Sequence, residues 1–147
     1  MSDTEHTLVA SVEDKPGVLT RIAGLFRRRA FNIQSLVVGH SEQPGLSHMT
    51  IVVKGEPTEV EQVRKQLDKL INVVRVSDIT KENIVARELA LIKVKATAST
   101  RSGIIQIVDI FRANIIDVST GSLTIEVTGD EDKVDSLIEL LRGFGIK

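Results

Sequence analysis

Apolar and polar positions alternate over residues 6–13, placing Leu8, Ala10 and Val12 on one side; this predicts a half-buried strand. Asp14-Lys15-Pro16-Gly17 interrupts it, and Pro16 suits the first position of a helix, where a missing N–H costs nothing. Val18, Ile22, Leu25 and Phe26 then recur at helical spacing and define one apolar face. Residues 32–38 return to strand chemistry through Ile33, Leu36, Val37 and Val38. A polar loop over 39–45 leads to a second strand over 46–53, which predicts a hairpin. Gly55-Glu56-Pro57-Thr58 breaks the chain, Val60, Val63, Leu67 and Leu70 mark a second amphipathic helix, and residues 73–79 close with a strand. The order is βαββαβ.

After a polar connector the order begins again. Ile92, Val94 and Ala96 alternate, and Ile104, Ile107, Val108 and Phe111 form a helix face. Residues 115–118 and 123–127 pair around Thr120-Gly121, and Val134, Leu137, Ile138 and Leu141 give another helix. Leu25-Phe26-Arg27 aligns with Ile110-Phe111-Arg112 at an offset of 85, and Met49-Thr50-Ile51 with Leu123-Thr124-Ile125 at 74. The difference of 11 residues is expected in the hairpin loop of the first copy. A duplicated unit of this kind predicts an α+β chain of two tandem ferredoxin-like βαββαβ units, each an antiparallel sheet with helices on one face. The expected domains are 1–79 and 87–147, joined by a linker at 80–86. Only Gly145-Ile146-Lys147 remain for the last strand of the second copy, so that domain is expected to be truncated or incomplete there.

Composition narrows the function. Zero cysteines excludes disulfides, thiolate catalysis and cysteine zinc sites. A formal charge of −1 gives no overall pull toward nucleic acid or an anionic membrane. RNA-binding domains can share the βαββαβ order, but they stack bases on sheet aromatics, and the strands at 6–13 and 46–53 have none. No apolar run approaches the ~20 residues of a membrane span, and residues 1–7 do not read as a secretory signal, so a cytoplasmic protein is expected. Two domains of this size have modest cores, which favours association into a dimer.

The first strand–helix turn, residues 13–18, is the most informative chemistry. A helix N-terminus offers free N–H groups and positive partial charge to a carboxylate, and Gly17 allows close approach to the backbone. Asp14 can face an ammonium group, and Asn32 can both donate and accept. An α-amino acid needs this combination; the plainer alternative is that Asp14 caps the helix and Gly17 eases a turn. His6, His40 and His48 lack metal-ligand spacing and read as surface or packing residues. Arg27-Arg28-Arg29 ends a helix and complements its dipole. No nucleophile–base signature and no phosphate-binding glycine motif is present.

The run His6-Thr7-Leu8-Val9-Ala10-Ser11-Val12-Glu13-Asp14-Lys15-Pro16-Gly17-Val18-Leu19 resembles the opening of an ACT domain. Leu25 to Ile33, His48-Met49-Thr50-Ile51-Val52-Val53, Gln66 to Val73, Arg87 to Val94 and Ile110 to Val118 resemble the small subunit of acetohydroxyacid (acetolactate) synthase, over nearly the whole chain. That resemblance implies two ACT-type domains in a non-catalytic regulatory subunit. It implies a homodimer formed through the first domains, a branched-chain amino acid effector, usually valine, and docking on a separate catalytic subunit. That partner would be activated and made sensitive to feedback inhibition. Thiamine diphosphate, FAD and Mg would belong to the catalytic partner and none to this chain. Asp14, Lys15, Pro16, Gly17, Val18, Asn32 and Ile33 fall on the family's effector-binding loop and strand start. A free-standing ACT-type amino-acid sensor with another partner is the alternative.

Overall fold

The computed structural model describes residues 3–147. The chain divides into two compact units, Met1–Ile84 and Val85–Lys147. The first holds β1 (Thr4–Glu13), α1 (Val18–Arg28), β2 (Ile33–His40), β3 (Leu46–Gly55), α2 (Pro57–Asp68) and β4 (Val73–Asp78). Its sheet has the order β2-β3-β1-β4 with antiparallel neighbours. Because β1 and β2 both run against β3, they point the same way, with α1 as the crossover between them.

Alternation decides which face of this sheet is covered. Leu8, Ala10 and Val12 of β1, with Met49, Ile51 and Val53 of β3, are buried beneath Ile22, Leu25 and Phe26 of α1 and Val60, Val63 and Leu67 of α2. The intervening residues, among them Val9, Ser11 and Thr50, lie on the face turned away from α1 and α2. Leu70, expected on the face of α2, lies beyond its end and packs against the core from the following turn. Pro57, not Pro16, takes a first helical position: α1 begins at Val18 with Gly17 as N-cap.

The second unit repeats the design with β5 (Glu88–Lys95), α3 (Arg101–Ile110), β6 (Asn114–Val118), β7 (Ser122–Gly129) and α4 (Glu131–Arg142). Its sheet order is β5-β7-β6. Ile92, Val94, Ile104, Val108, Ile125, Leu137 and Leu141 centre its own core. After α4, Ile146 bridges Val94, and the Lys95 N–H donates to the Gly145 carbonyl at 2.8 Å.

Hydrogen bonds correct the helix alignment of the two copies. At the end of α1, Phe31 N–H donates to Phe26 O and Ala30 N–H to Arg27 O; at the end of α3, Ala113 N–H donates to Val108 O and Arg112 N–H to Asp109 O. Ala30 and Arg112 share a positive φ, 58° and 53°. The helices therefore repeat at an offset of 82, not 85. Gly55 and Gly129 take matching registers against β1 and β5, which keeps the strand offset of 74. The hairpin accounts for the change from 82 to 74, a smaller difference than the side-chain alignment implied. Phe111 and Phe26 have similar chemistry but not equivalent positions.

Candidate functional site

Lys15 to Val18 form a tight turn in which the Val18 N–H reaches the Lys15 carbonyl at 3.4 Å. Pro16 occupies the second position and Gly17 the third, with φ 86° and ψ −10°, the values of a type II turn. Open space lies where a Cβ on Gly17 would point, so the left-handed backbone, and not crowding, is what selects glycine here. Asp14 does not cap the helix; α1 has no side-chain cap. The first-turn N–H groups of Leu19 and Thr20 have no acceptor among the described residues. A helix start of this form presents donors and positive partial charge to solvent.

Around the turn the side chains are tied in pairs. Asp14 contacts His40 Nδ1 at 3.1 Å, and its N–H donates to the Gly45 carbonyl. Lys15 Nζ lies 2.7 Å from Glu13, and with Asn72 it holds the Glu13 carboxyl below the usual carboxylate range. Arg21 donates to Asn72 Oδ1 at 2.7 Å, and Asn72 in turn donates to Glu13 at 3.4 Å. By sequence His40 reads only as a surface or packing residue, and Asn72 and Arg21 carry no signal there. His40 and Asn72 reach the turn through sheet register and the β4 connection, which leave no local signal, whereas Arg21 sits on the first turn of α1, one helical turn from Gly17.

Asn32 and Ile33 are at the other end of the sheet. Ile33 pairs with Val53, which is level with His6 near the start of β1, whereas the turn follows Glu13, level with Leu46. Seven strand steps at about 3.3 Å separate those levels. Within one chain the residues expected to act together thus form two groups: Asp14, Lys15, Pro16, Gly17 and Val18 at one end of the sheet, Asn32 and Ile33 at the other. The crossover geometry causes this, since α1 carries the chain back to where β1 began. The Asn32 side chain is exposed and has no hydrogen-bond partner among the described residues.

The second unit treats the equivalent turn differently. Thr97 and Thr100 close it by mutual hydrogen bonds, and Arg101 donates to the carbonyls of Ser119 and Thr120, each at 3.1 Å. Its turn side chains are engaged, while the first-turn N–H groups of Ser102 and Gly103 lack an acceptor among the described residues just as those of Leu19 and Thr20 do. What sets the first unit apart is its Pro-Gly turn and the Asp14 carboxylate beside it.

Among the described residues no group of His, Asp and Glu is arranged to hold a metal, and no helix is long and apolar enough to cross a membrane. His6, one of three histidines read as surface or packing residues, is buried: its Nδ1 is 3.0 Å from Asp78 and its Nε2 is 2.8 Å from the Thr4 hydroxyl. His40 and His48 are exposed.

Tandem units of this topology, the first with an open Pro-Gly turn at a helix start, define a protein of the ACT class. Residues 8–75 match the family described as AHAS small subunit-like ACT domain, and residues 87–147 match the family described as small subunit of acetolactate synthase. The chain belongs to the acetolactate synthase small-subunit family. It is 58% identical over 143 residues to a probable acetolactate synthase small subunit of Archaeoglobus fulgidus, covering 97% of this chain and 89% of that protein. It is 56% identical over 142 residues to the acetolactate synthase small subunit of Mycolicibacterium smegmatis, covering 97% and 84%. The crystal structure of the small subunit from Thermotoga maritima superposes with a TM-score of 0.90 at 46% identity, covering 98% of this chain and 90% of that one.

Proposed function

We propose that the chain is the regulatory subunit of acetolactate synthase in branched-chain amino acid synthesis: it docks on a catalytic subunit, activates it and makes it sensitive to inhibition by valine. Thiamine diphosphate, FAD and Mg belong to the catalytic partner in this reading, and the assembly is cytoplasmic. The observation that carries it is the open turn of the first unit. There, unpartnered N–H groups at the start of α1 lie beside a carboxylate, a complement to the two charged ends of an amino acid.

The separation of Asn32 from that turn is resolved by a second copy. Strand β2 is a sheet edge, and Leu36, Val37 and Val38 on it are 40%, 62% and 44% exposed. An apolar edge of this kind is a template for strand pairing. Antiparallel pairing of β2 with β2 of a second chain about its midpoint sets Ile33 of one copy against His40 of the other. Asn32 of each copy then stands beside Asp14 of the other, because Asp14 is held by His40. Two effector sites result, each built from the turn of one subunit and the strand start of its partner. The valine side chain would lie against the apolar edge residues.

A valine titration of the reconstituted holoenzyme tests this. Asn32→Ala removes a polar partner from a partly desolvated site, a loss of roughly 5- to 150-fold in affinity. Gly17→Asp sets a negative charge where the effector carboxylate approaches. Both should weaken inhibition while activation of the catalytic subunit persists. Unchanged inhibition curves with both variants folded, by circular dichroism, would overturn the reading.

A further inference from the structure

The face of the first sheet turned away from α1 and α2 holds a depression of about 220 Å3 that includes none of the residues of the β1–α1 turn. Register builds its floor. Ser11 of β1 pairs with His48 on β3 and with Arg75 on β4, so these three side chains form one row across the sheet. Val9 and Ser77, paired with each other, form the next row. Cross-strand neighbours have Cβ atoms about 4.5–5.5 Å apart, close enough for one small ligand to touch both rows.

The wall comes from the segment after β4. The Thr80 hydroxyl and N–H donate to Asp78, the Thr7 N–H donates to the Thr80 hydroxyl, and the Glu82 N–H donates to the Ile79 carbonyl at 3.0 Å. This folded turn sets Ile79 and Glu82 at the rim.

The chemistry inside is unspent. The Arg75 guanidinium and the Ser11 and Ser77 hydroxyls make no side-chain hydrogen bond or ion pair among the described residues, and His48 has only Glu42 at 3.4 Å. A guanidinium with two hydroxyls beside it matches a carboxylate, which it can hold by two parallel N–H···O bonds. Val9 and Ile79 offer apolar surface for a short hydrocarbon tail. Glu82 adds one negative charge at the rim and disfavours a dianion. The volume lies below the ~300 Å3 at which drug-sized sites begin, so the ligand is small.

We propose that this depression is a second ligand site, specific for a short-chain monocarboxylate, with Arg75 as its anchor. The site is complete within one chain, so it does not depend on the dimer or on the effector turn.

The test is an NMR titration of the full chain with butyrate at constant ionic strength, with inorganic phosphate as the comparison anion. Butyrate should shift the amides of Ser11, Arg75 and Ser77 in a saturable way and leave Gly17 and Asn32 unmoved. Arg75→Ala should weaken binding roughly 10- to 150-fold, the effect of losing a charge-assisted hydrogen bond. Arg75→Lys should fall between the two. Glu82→Gln should improve the weak binding of phosphate more than that of butyrate. Non-saturating shifts, or equal shifts in Arg75→Ala, would overturn the proposal. Phosphate binding tighter than butyrate would overturn its monocarboxylate specificity. Shifts at Gly17 without shifts at Arg75 would assign butyrate to the effector turn and also sink it, whereas loss of valine inhibition in the variants of Gly17 bears only on the regulatory reading.

Discussion

Gly17 holds φ at 86°, a left-handed conformation that costs an L side chain about 1–2 kcal/mol. Since a Cβ there meets nothing within 4 Å, Gly17→Ala should destabilise only by about 1 kcal/mol, the strain being partly offset by a less flexible unfolded chain. Urea unfolding would measure it, and a loss of several kcal/mol would mean the turn is more crowded than it stands. Asp78 illustrates a different residue-scale balance. Burial pushes its carboxyl up, but hydrogen bonds from the Thr80 hydroxyl, the Thr80 N–H and His6 outweigh this and hold it below its ordinary value. A folded-state value lower than the unfolded one stabilises the fold above the unfolded pKa of about 3.9, and that stability is lost as pH falls through the folded value. Asp78→Asn should therefore lower stability by about 1 kcal/mol at pH 7, with the gap to the parent closing below about pH 4. Thermal melts of the two proteins between pH 7 and pH 2.5 would show whether the curves converge.

At the scale of elements, the two copies share a topology but not a packing solution. Gly55 and Gly129 end equivalent strands, yet a Cβ on Gly55 would run into the ring of Phe31, whereas one on Gly129 would meet the flexible Lys133 side chain. Phe31 is itself held edge-on against Phe26, ring centroids 6.4 Å apart, and cannot retreat freely. Gly55→Ala should cost about 1–3 kcal/mol by overpacking, and Gly129→Ala well under that. Equal losses in denaturant titrations of the two variants would contradict this account. Strand β2 raises an element-scale question of another kind, since both its apolar faces reach solvent at a sheet edge. In the proposed pairing, residue 37 lies next to the two-fold axis. Val37→Lys brings like charges together there and blocks the edge. Light scattering at micromolar concentration should change from a dimer to a single chain of 16.1 kDa. A parent protein that is already monomeric would sink the pairing scheme.

For the whole molecule, the sharpest expectation follows from sites shared between subunits. Gly17→Asp and Asn32→Ala homodimers each lose both effector sites. A mixed dimer of the two places both lesions in one site and leaves the other intact. Mixing the variants before reconstitution with the catalytic subunit should restore valine inhibition in part. No recovery, with exchange of subunits verified by mass spectrometry, would place Gly17 and Asn32 in the same site of one chain or in none.

The hydrophobic pattern determined the elements, the duplication and the buried faces, because burial follows periods of 2.0 and 3.6 that are written locally. That pattern alone assigns Leu8, Ala10 and Val12, and Ile22, Leu25 and Phe26, to the core, and each is buried. The break at residues 14–18 was legible because proline fixes its own φ and glycine admits the left-handed region, although Pro16 stands within the turn and not at the first helical position expected of it. What the sequence could not decide was proximity. His40 meets Asp14, and Ser11 aligns with His48 and Arg75, only through strand register. The separation of Asn32 from Gly17 follows from the direction of a crossover, which no local spacing records. Register and direction are set jointly by all the strands of a sheet, so they exist only in the folded molecule.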